Sequence, residues 1–127
     1  MTAKYKIAFF FITIYLLSCN ENLNLQEKDV KKYDYLKPFV ANNVFNLKGK
    51  HNIDSEDFEF SYKVSNVQTT LSKIKEKSNI EGWQSHFVDI KTTSYSKKVK
   101  LFEAESTLVV VNVMLKDKDD RIYFKVN

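Results

Sequence analysis

Nine consecutive residues near the C-terminus, Thr107-Leu108-Val109-Val110-Val111-Asn112-Val113-Met114-Leu115, are so dense in β-branched and apolar side chains that they constrain the fold more than any other feature. A strand with one wet face alternates, and this run barely does, so it belongs in the interior of a sheet. After the polar stretch Lys116 to Arg121, apolar Ile122, Phe124 and Val126 recur at every second residue, which makes the two runs a hairpin. A lone hairpin is unstable in water, so the rest of the chain must supply more strands and a cover.

Those parts are legible upstream. Phe58, Phe60, Tyr62 and Val64 alternate with Asp57, Glu59, Ser61 and Lys63, the pattern of a half-buried strand. Ser65-Asn66-Val67-Gln68 then has the form of a capping box, with Ser65 as the cap and a helix beginning near Asn66. Val67, Leu71 and Ile74 follow at helical spacing and define one apolar stripe. Gly82 suits the left-handed residue that stops a helix. Trp83 to Ile90 and Lys98 to Glu103 have strand character. Upstream, Pro38 breaks any helix or central strand near it, a short strand fits Val44 to Leu47, and Lys48-Gly49-Lys50 reads as a turn. The expected fold is α+β, with one helix packed on an antiparallel sheet of four or five strands in β-α-β-β-β-β order. In it the helix stripe meets the aromatic face of Phe58, Phe60 and Tyr62. A small sandwich or barrel with the helix as a plug is the alternative.

The N-terminus has a different character. Lys4 and Lys6 precede an apolar run from Ile7 to Leu17, and Ser18-Cys19 opens a polar stretch. A spanning helix needs about 20 apolar residues, so this run is too short for one and fits a secretory leader. Leu16-Leu17-Ser18-Cys19, with small Ser18 before the only cysteine, resembles the lipobox of a bacterial lipoprotein signal peptide, although Leu17 is bulkier than the residue usual there. The resemblance implies that a peptidase recognises Leu16, Leu17 and Ser18, that residues 1–18 are removed, and that Cys19 carries two or more acyl chains. At about 0.8 kcal/mol per buried CH₂, such an anchor is effectively permanent. Asn20 after the cysteine implies sorting to the outer membrane, facing the periplasm or the cell surface. Residues 19–34, rich in Asn, Glu, Asp and Lys, read as a flexible tether. Residues 35–127 then form a single small domain.

Charge narrows the function classes. Without Lys4 and Lys6 the chain holds 18 basic and 16 acidic residues, a net charge of +2, and the two signs are interspersed. Nucleic-acid binding, which shows as a clustered basic face, is not expected. The densest basic segment, Lys97-Lys98-Val99-Lys100, reads as a solvated strand edge.

Catalytic and metal chemistry find little support. The histidines are His51 and His86, and on a strand Ser85 and Asp89 alternate away from His86, so these neighbours build no triad. Asp117-Lys118-Asp119-Asp120 lacks the glycine and distal glutamate of a calcium loop. Gly49 and Gly82 are too far apart for a phosphate loop. No metal, cofactor or catalytic residue is therefore expected. The aromatics Trp83, Phe87, Tyr95 and Phe102 offer a candidate interaction surface, since such residues concentrate at interface cores; core packing explains them at least as well, and for Trp83, directly after Gly82, burial at the helix end is favoured. The expected function is that of a small lipid-anchored envelope protein, membrane-held through Cys19, with a non-catalytic domain that binds another envelope protein. An immunity or inhibitor protein and an accessory subunit are two versions of it. A cell-wall or small-ligand binding module is the alternative class, and a hydrolase the remaining one.

Overall fold

The computed structural model describes residues 23–41, 44–51, 57–102, 105–116 and 119–127. In chain order they form strand β1 (Leu23–Leu25), helix α1 (Glu27–Lys31), a 3-10 helix (Asp34–Phe39), β2 (Phe45–His51), β3 (Phe58–Lys63), helix α2 (Val67–Ile80), β4 (Gln84–Asp89), β5 (Thr92–Phe102), β6 (Glu105–Leu115) and β7 (Arg121–Val126). All seven strands join one antiparallel sheet in the order β1-β2-β3-β7-β6-β5-β4. Helix α2 carries the chain from β3 to the far edge, and three successive hairpins return it until β7 pairs with β3.

Register turns the sequence alternation into two faces. One row crosses every strand: Leu25, Gly49, Phe60, Phe124, Val113, Thr93 and Phe87 stand opposite one another in succession. The row one residue away, Asn24, Lys50, Glu59, Lys125, Asn112, Ser94 and His86, is polar throughout. The apolar face lies under the helices and the polar face under none of the described ones, as a sheet covered on one side requires.

The sheet has seven strands and three short helices, not four or five strands and one helix. Two local signals misled. Lys48-Gly49-Lys50 is not a turn but the middle of β2, and its glycine answers crowding: a Cβ there would sit 2.7 Å from the Glu59 carbonyl oxygen, 3.0 Å from Leu25 Cβ and 3.1 Å from Phe60 Cβ. β1 is only three residues long, too short to display a period. Its pairing with β2, and the burial of Val30 in α1, bring residues 23–34 into the fold where a tether was expected.

The cover also differs from expectation. The 3-10 helix accommodates Pro38 and buries Leu36 and Phe39. Tyr33 stacks on Phe58 with ring centroids 5.0 Å apart, and the Tyr62 hydroxyl donates to the Phe39 carbonyl oxygen at 2.5 Å. The aromatic face of β3 is therefore capped by the segment before β2, while α2 buries only Ile74 and Ser78, with Val67 and Leu71 half-buried. Phe39 is the hub, packing edge-on against Trp83 (4.9 Å), Tyr95 (5.3 Å) and Phe124 (6.4 Å). Such pairs add about 0.5–1.5 kcal/mol each beyond area burial. Helix α2 is capped by Asn66, not Ser65: Asn66 Oδ1 accepts from the Thr69 amide at 3.0 Å. Gly82, at φ 89, ends it.

Candidate interaction edge

Among the described residues strand β4 ends the sheet, with β5 as its one partner, and all six of its residues are exposed. Its position follows from the helix stop before it. Gly82 reverses the chain, the Trp83 amide donates to the Ser78 carbonyl at 2.9 Å, and the buried Trp83 ring pins the strand's start against Phe39. From Gln84 the chain is extended, and the Lys91 amide closes the β4–β5 turn by donating to Asp89 Oδ1 at 2.8 Å.

The end of β4 and this turn carry an apolar cluster: Phe87 is 76% exposed, Val88 56% and Ile90 88%. Phe87 is the last member of the apolar row, so its exposure marks where the helical cover stops. A groove of about 440 Å³ lies there, lined by Leu71 of α2, Phe87, Ile90, Thr93, Val113 and Leu115. A second cleft, of about 730 Å³, is lined by Ser72, Lys75 and Glu76 of α2 and by Trp83 to His86. Ser72, Lys75 and Ser85 border both, so one depression follows β4 along α2. Trp83 Nε1 is buried and has no hydrogen-bond acceptor among the described residues.

Natural sheets blunt their edges by shortness, lysine, proline or bulges. The β1 edge is blunted by shortness. β4, Gln-Ser-His-Phe-Val-Asp, contains neither lysine nor proline, and its register slips only between Phe87 and Asp89. Its outward N–H and C=O groups can pair with an extended segment of another chain.

The four aromatics singled out from the sequence do not form one surface. Trp83 and Tyr95 are core residues joined through Phe39, and burial pushes the Tyr95 hydroxyl above its ordinary range. Phe87 is exposed, and Phe102 ends β5 with its side chain outside the described part. Cys19, Leu16, Leu17 and Ser18 lie outside the described residues. Val88 and Ile90 were missed, although two adjacent apolar residues, Phe87 and Val88, cannot both turn inward on a one-sided strand.

Register places the neighbours of His86 on different faces. Ser85 pairs with Tyr95 on the covered face and His86 with Ser94 on the open one. The slip after Phe87 brings Asp89 opposite Thr92, onto the His86 face, contrary to simple alternation, but its Oδ1 is occupied by the Lys91 amide. Among the described residues no three His, Cys, Asp or Glu side chains gather as a metal ion would need. No described helix is long and apolar enough to cross a membrane.

Comparison with protein-family models, with characterised proteins and with solved structures finds no match.

Proposed function

We propose that this is a lipid-anchored envelope protein whose domain binds another protein by accepting an extended segment along β4. The observation that carries the reading is the lysine- and proline-free β4 edge, regular from Gln84 to Phe87 before a bulge, with Phe87, Val88 and Ile90 exposed at its end. Main-chain hydrogen bonds along the edge supply affinity, and the groove beside Phe87 takes the segment's side chains, which supplies selectivity. The anchor rests on the lipobox of residues 16–19 and its fit to a short secretory leader. Asn20 favours the outer membrane. An inhibitor of an incoming toxin and an accessory subunit of an envelope assembly both suit a fixed, non-catalytic binder.

A small-ligand module has less behind it, because Phe39, Trp83, Tyr95 and Phe124 fill the middle of the helix–sheet interface.

Affinity purification of the full-length protein from its native envelope, beside Phe87→Asp, tests the binding reading. A partner recovered by the native chain and reduced at least tenfold by the substitution is expected, with thermal stability unchanged because Phe87 is largely exposed. Recovery of the same partner by both chains refutes the β4 assignment, and recovery of nothing beyond copies of this chain refutes a heterologous partner. Intact-mass analysis of membrane-extracted protein tests the anchor: residues 1–18 absent and acyl mass on Cys19 are expected, and an unmodified full-length chain refutes it.

A further inference from the structure

The near-neutral charge of the whole domain hides a separation that appears only on the sheet. Within β2, β3 and β7, the open face presents Lys48, Lys50, Lys63 and Lys125, with Arg121 buried among them, against a single acid, Glu59. The four lysines are exposed and form no ion pair among the described residues. The nearby Asp119 carboxylate is engaged elsewhere, accepting from the Tyr123 hydroxyl at 2.6 Å and from the Arg121 amide at 3.1 Å.

The same face holds an aromatic side chain that strict alternation would have turned inward. Gly49 and Leu47 belong to the covered side, and Phe45, two residues earlier, would join them in a regular strand. A bulge between Phe45 and Lys48 inserts one residue, with Asn46 at φ 53, and brings Phe45 opposite Lys63 on the open face, 58% exposed. Bulges re-aim side chains in this way. The bulge is held by Arg121, whose Nη1 donates to the Asn46 carbonyl and to Ser61 Oγ, both at 2.9 Å. Beside it lies a concavity of about 580 Å³ whose lining includes Lys48, Lys50, Ser61, Lys116 and Tyr123. Unpaired lysines around an outward phenylalanine are the chemistry of a surface that meets anionic headgroups and buries one ring among them.

Chain length limits which surface that is. Three residues lie between Cys19 and Leu23, so four residue steps give a reach of at most about 14 Å. β1, which Leu23 begins, pairs directly with β2, so the lysine face starts one strand from the anchor point. We infer that the open face of β2, β3 and β7, with Phe45 at its rim, lies on the anionic phospholipid surface of the membrane in which Cys19 is held. This rests on the anchor reading, not on the β4 partner. The two surfaces are compatible: β4 lies three strand spacings from β7 and five from β2, about 14–24 Å, and its groove opens on the opposite face of the sheet. Accumulated twist of about 20–25° per strand turns the far edge away from any plane that β2 and β3 lie on.

The test uses the full chain as extracted from producing cells, reconstituted into phosphatidylcholine vesicles with or without phosphatidylglycerol. Lysine acetylation is read residue by residue, with Lys73 and Lys75 of α2 as internal references. Acetylation of Lys48, Lys50, Lys63 and Lys125 is expected to slow about fivefold or more when phosphatidylglycerol is present, the references staying constant and high salt abolishing the difference. Phe45→Ser is expected to lose part of that protection without loss of fold, since the ring is exposed. Equal rates in the two vesicle types overturn the inference, as does equal protection by a single-stranded oligonucleotide, which would make the face a general polyanion site. Intact mass of the same sample separates the two readings. Protection without acyl mass refutes the anchor and leaves the face; acyl mass without protection refutes the face and leaves the anchor.

Discussion

Gly49→Ala is a substitution whose sign is fixed by three distances. The new methyl would stand 2.7 Å from the Glu59 carbonyl oxygen, inside van der Waals contact, and 3.0 and 3.1 Å from Leu25 Cβ and Phe60 Cβ. None of these is the end of a flexible side chain: one is backbone, and the other two are fixed by their strands. Relief therefore requires β1 or β3 to move away from β2, at the overpacking cost of about 1–3 kcal/mol. Against that, alanine narrows the unfolded ensemble, a gain of about 0.4–1 kcal/mol where the backbone conformation suits it. Gly49 does suit it, since Gly82 is the described glycine with positive φ. The net expectation is a loss of about 1–2 kcal/mol, which for a domain of this size lowers Tm by roughly 5–10 °C. Thermal unfolding followed by circular dichroism measures it, with Lys48→Ala on the open face of the same strand as a control expected to stay within about 0.5 kcal/mol. Because β1 is three residues long and held by β2 alone, limited proteolysis should show earlier cleavage around residues 23–26 in the variant. An unchanged or raised Tm would refute the packing of β1 over Gly49, and with it the short distance between the anchor and the sheet.

Phe39→Ala removes the ring that joins Trp83, Tyr95 and Phe124 and should cost about 3–5 kcal/mol by urea unfolding. Tyr62→Phe leaves the Phe39 carbonyl without its donor and should cost about 1–3 kcal/mol at neutral pH. Burial pushes the Tyr62 hydroxyl far above its ordinary 10.0, with the Ala41 amide opposing the shift, so the unfolded chain loses that proton first. Stability should thus fall as pH rises past 10.0, and this contribution should vanish in Tyr62→Phe; equal alkaline loss in both chains would refute it. Asp119 is held below its ordinary 3.8, chiefly by the Tyr123 hydroxyl and further by the Arg121 amide and nearby positive charge. Its contribution is present above 3.8 and lost as pH falls through the depressed value, so Asp119→Asn should flatten the acid limb of the unfolding curve; a limb as steep as in the native chain would refute it.

Residue parity and helical spacing made β3, β6, β7 and α2 legible, because a side chain's face on an element depends on its immediate neighbours. The Phe58, Phe60, Tyr62 alternation is buried as its pattern requires, whereas the near-continuous run of β6, interior in the strand order as expected, buries only Val109, Val111 and Val113 and leaves Leu108 57% exposed on the open face. Reading failed where a local signal had a distant cause. Gly49 looks like a turn residue until Leu25 and Glu59 arrive beside it; Trp83 is buried at the helix end as its place after Gly82 favours, whereas Tyr95 is legible as core only once Phe39 packs against it. The Ser65 cap failed for a smaller reason, since Asn66, one residue on, takes the Thr69 amide.

The candidate sites divide along the same line. Cys19 and its leader are contiguous, and processing chemistry reads contiguous residues, so that expectation needs no fold. The free edge of β4, the uncovered Phe87 and the lysine face exist only once β7 has returned to pair with β3, which assigns every strand its neighbours. Lys50, Glu59 and Lys125 are dispersed in the chain and consecutive across the sheet. Local alternation settles whether a residue points in or out, but hydrogen-bond register between distant segments chooses what stands beside it, and recognition depends on that second choice.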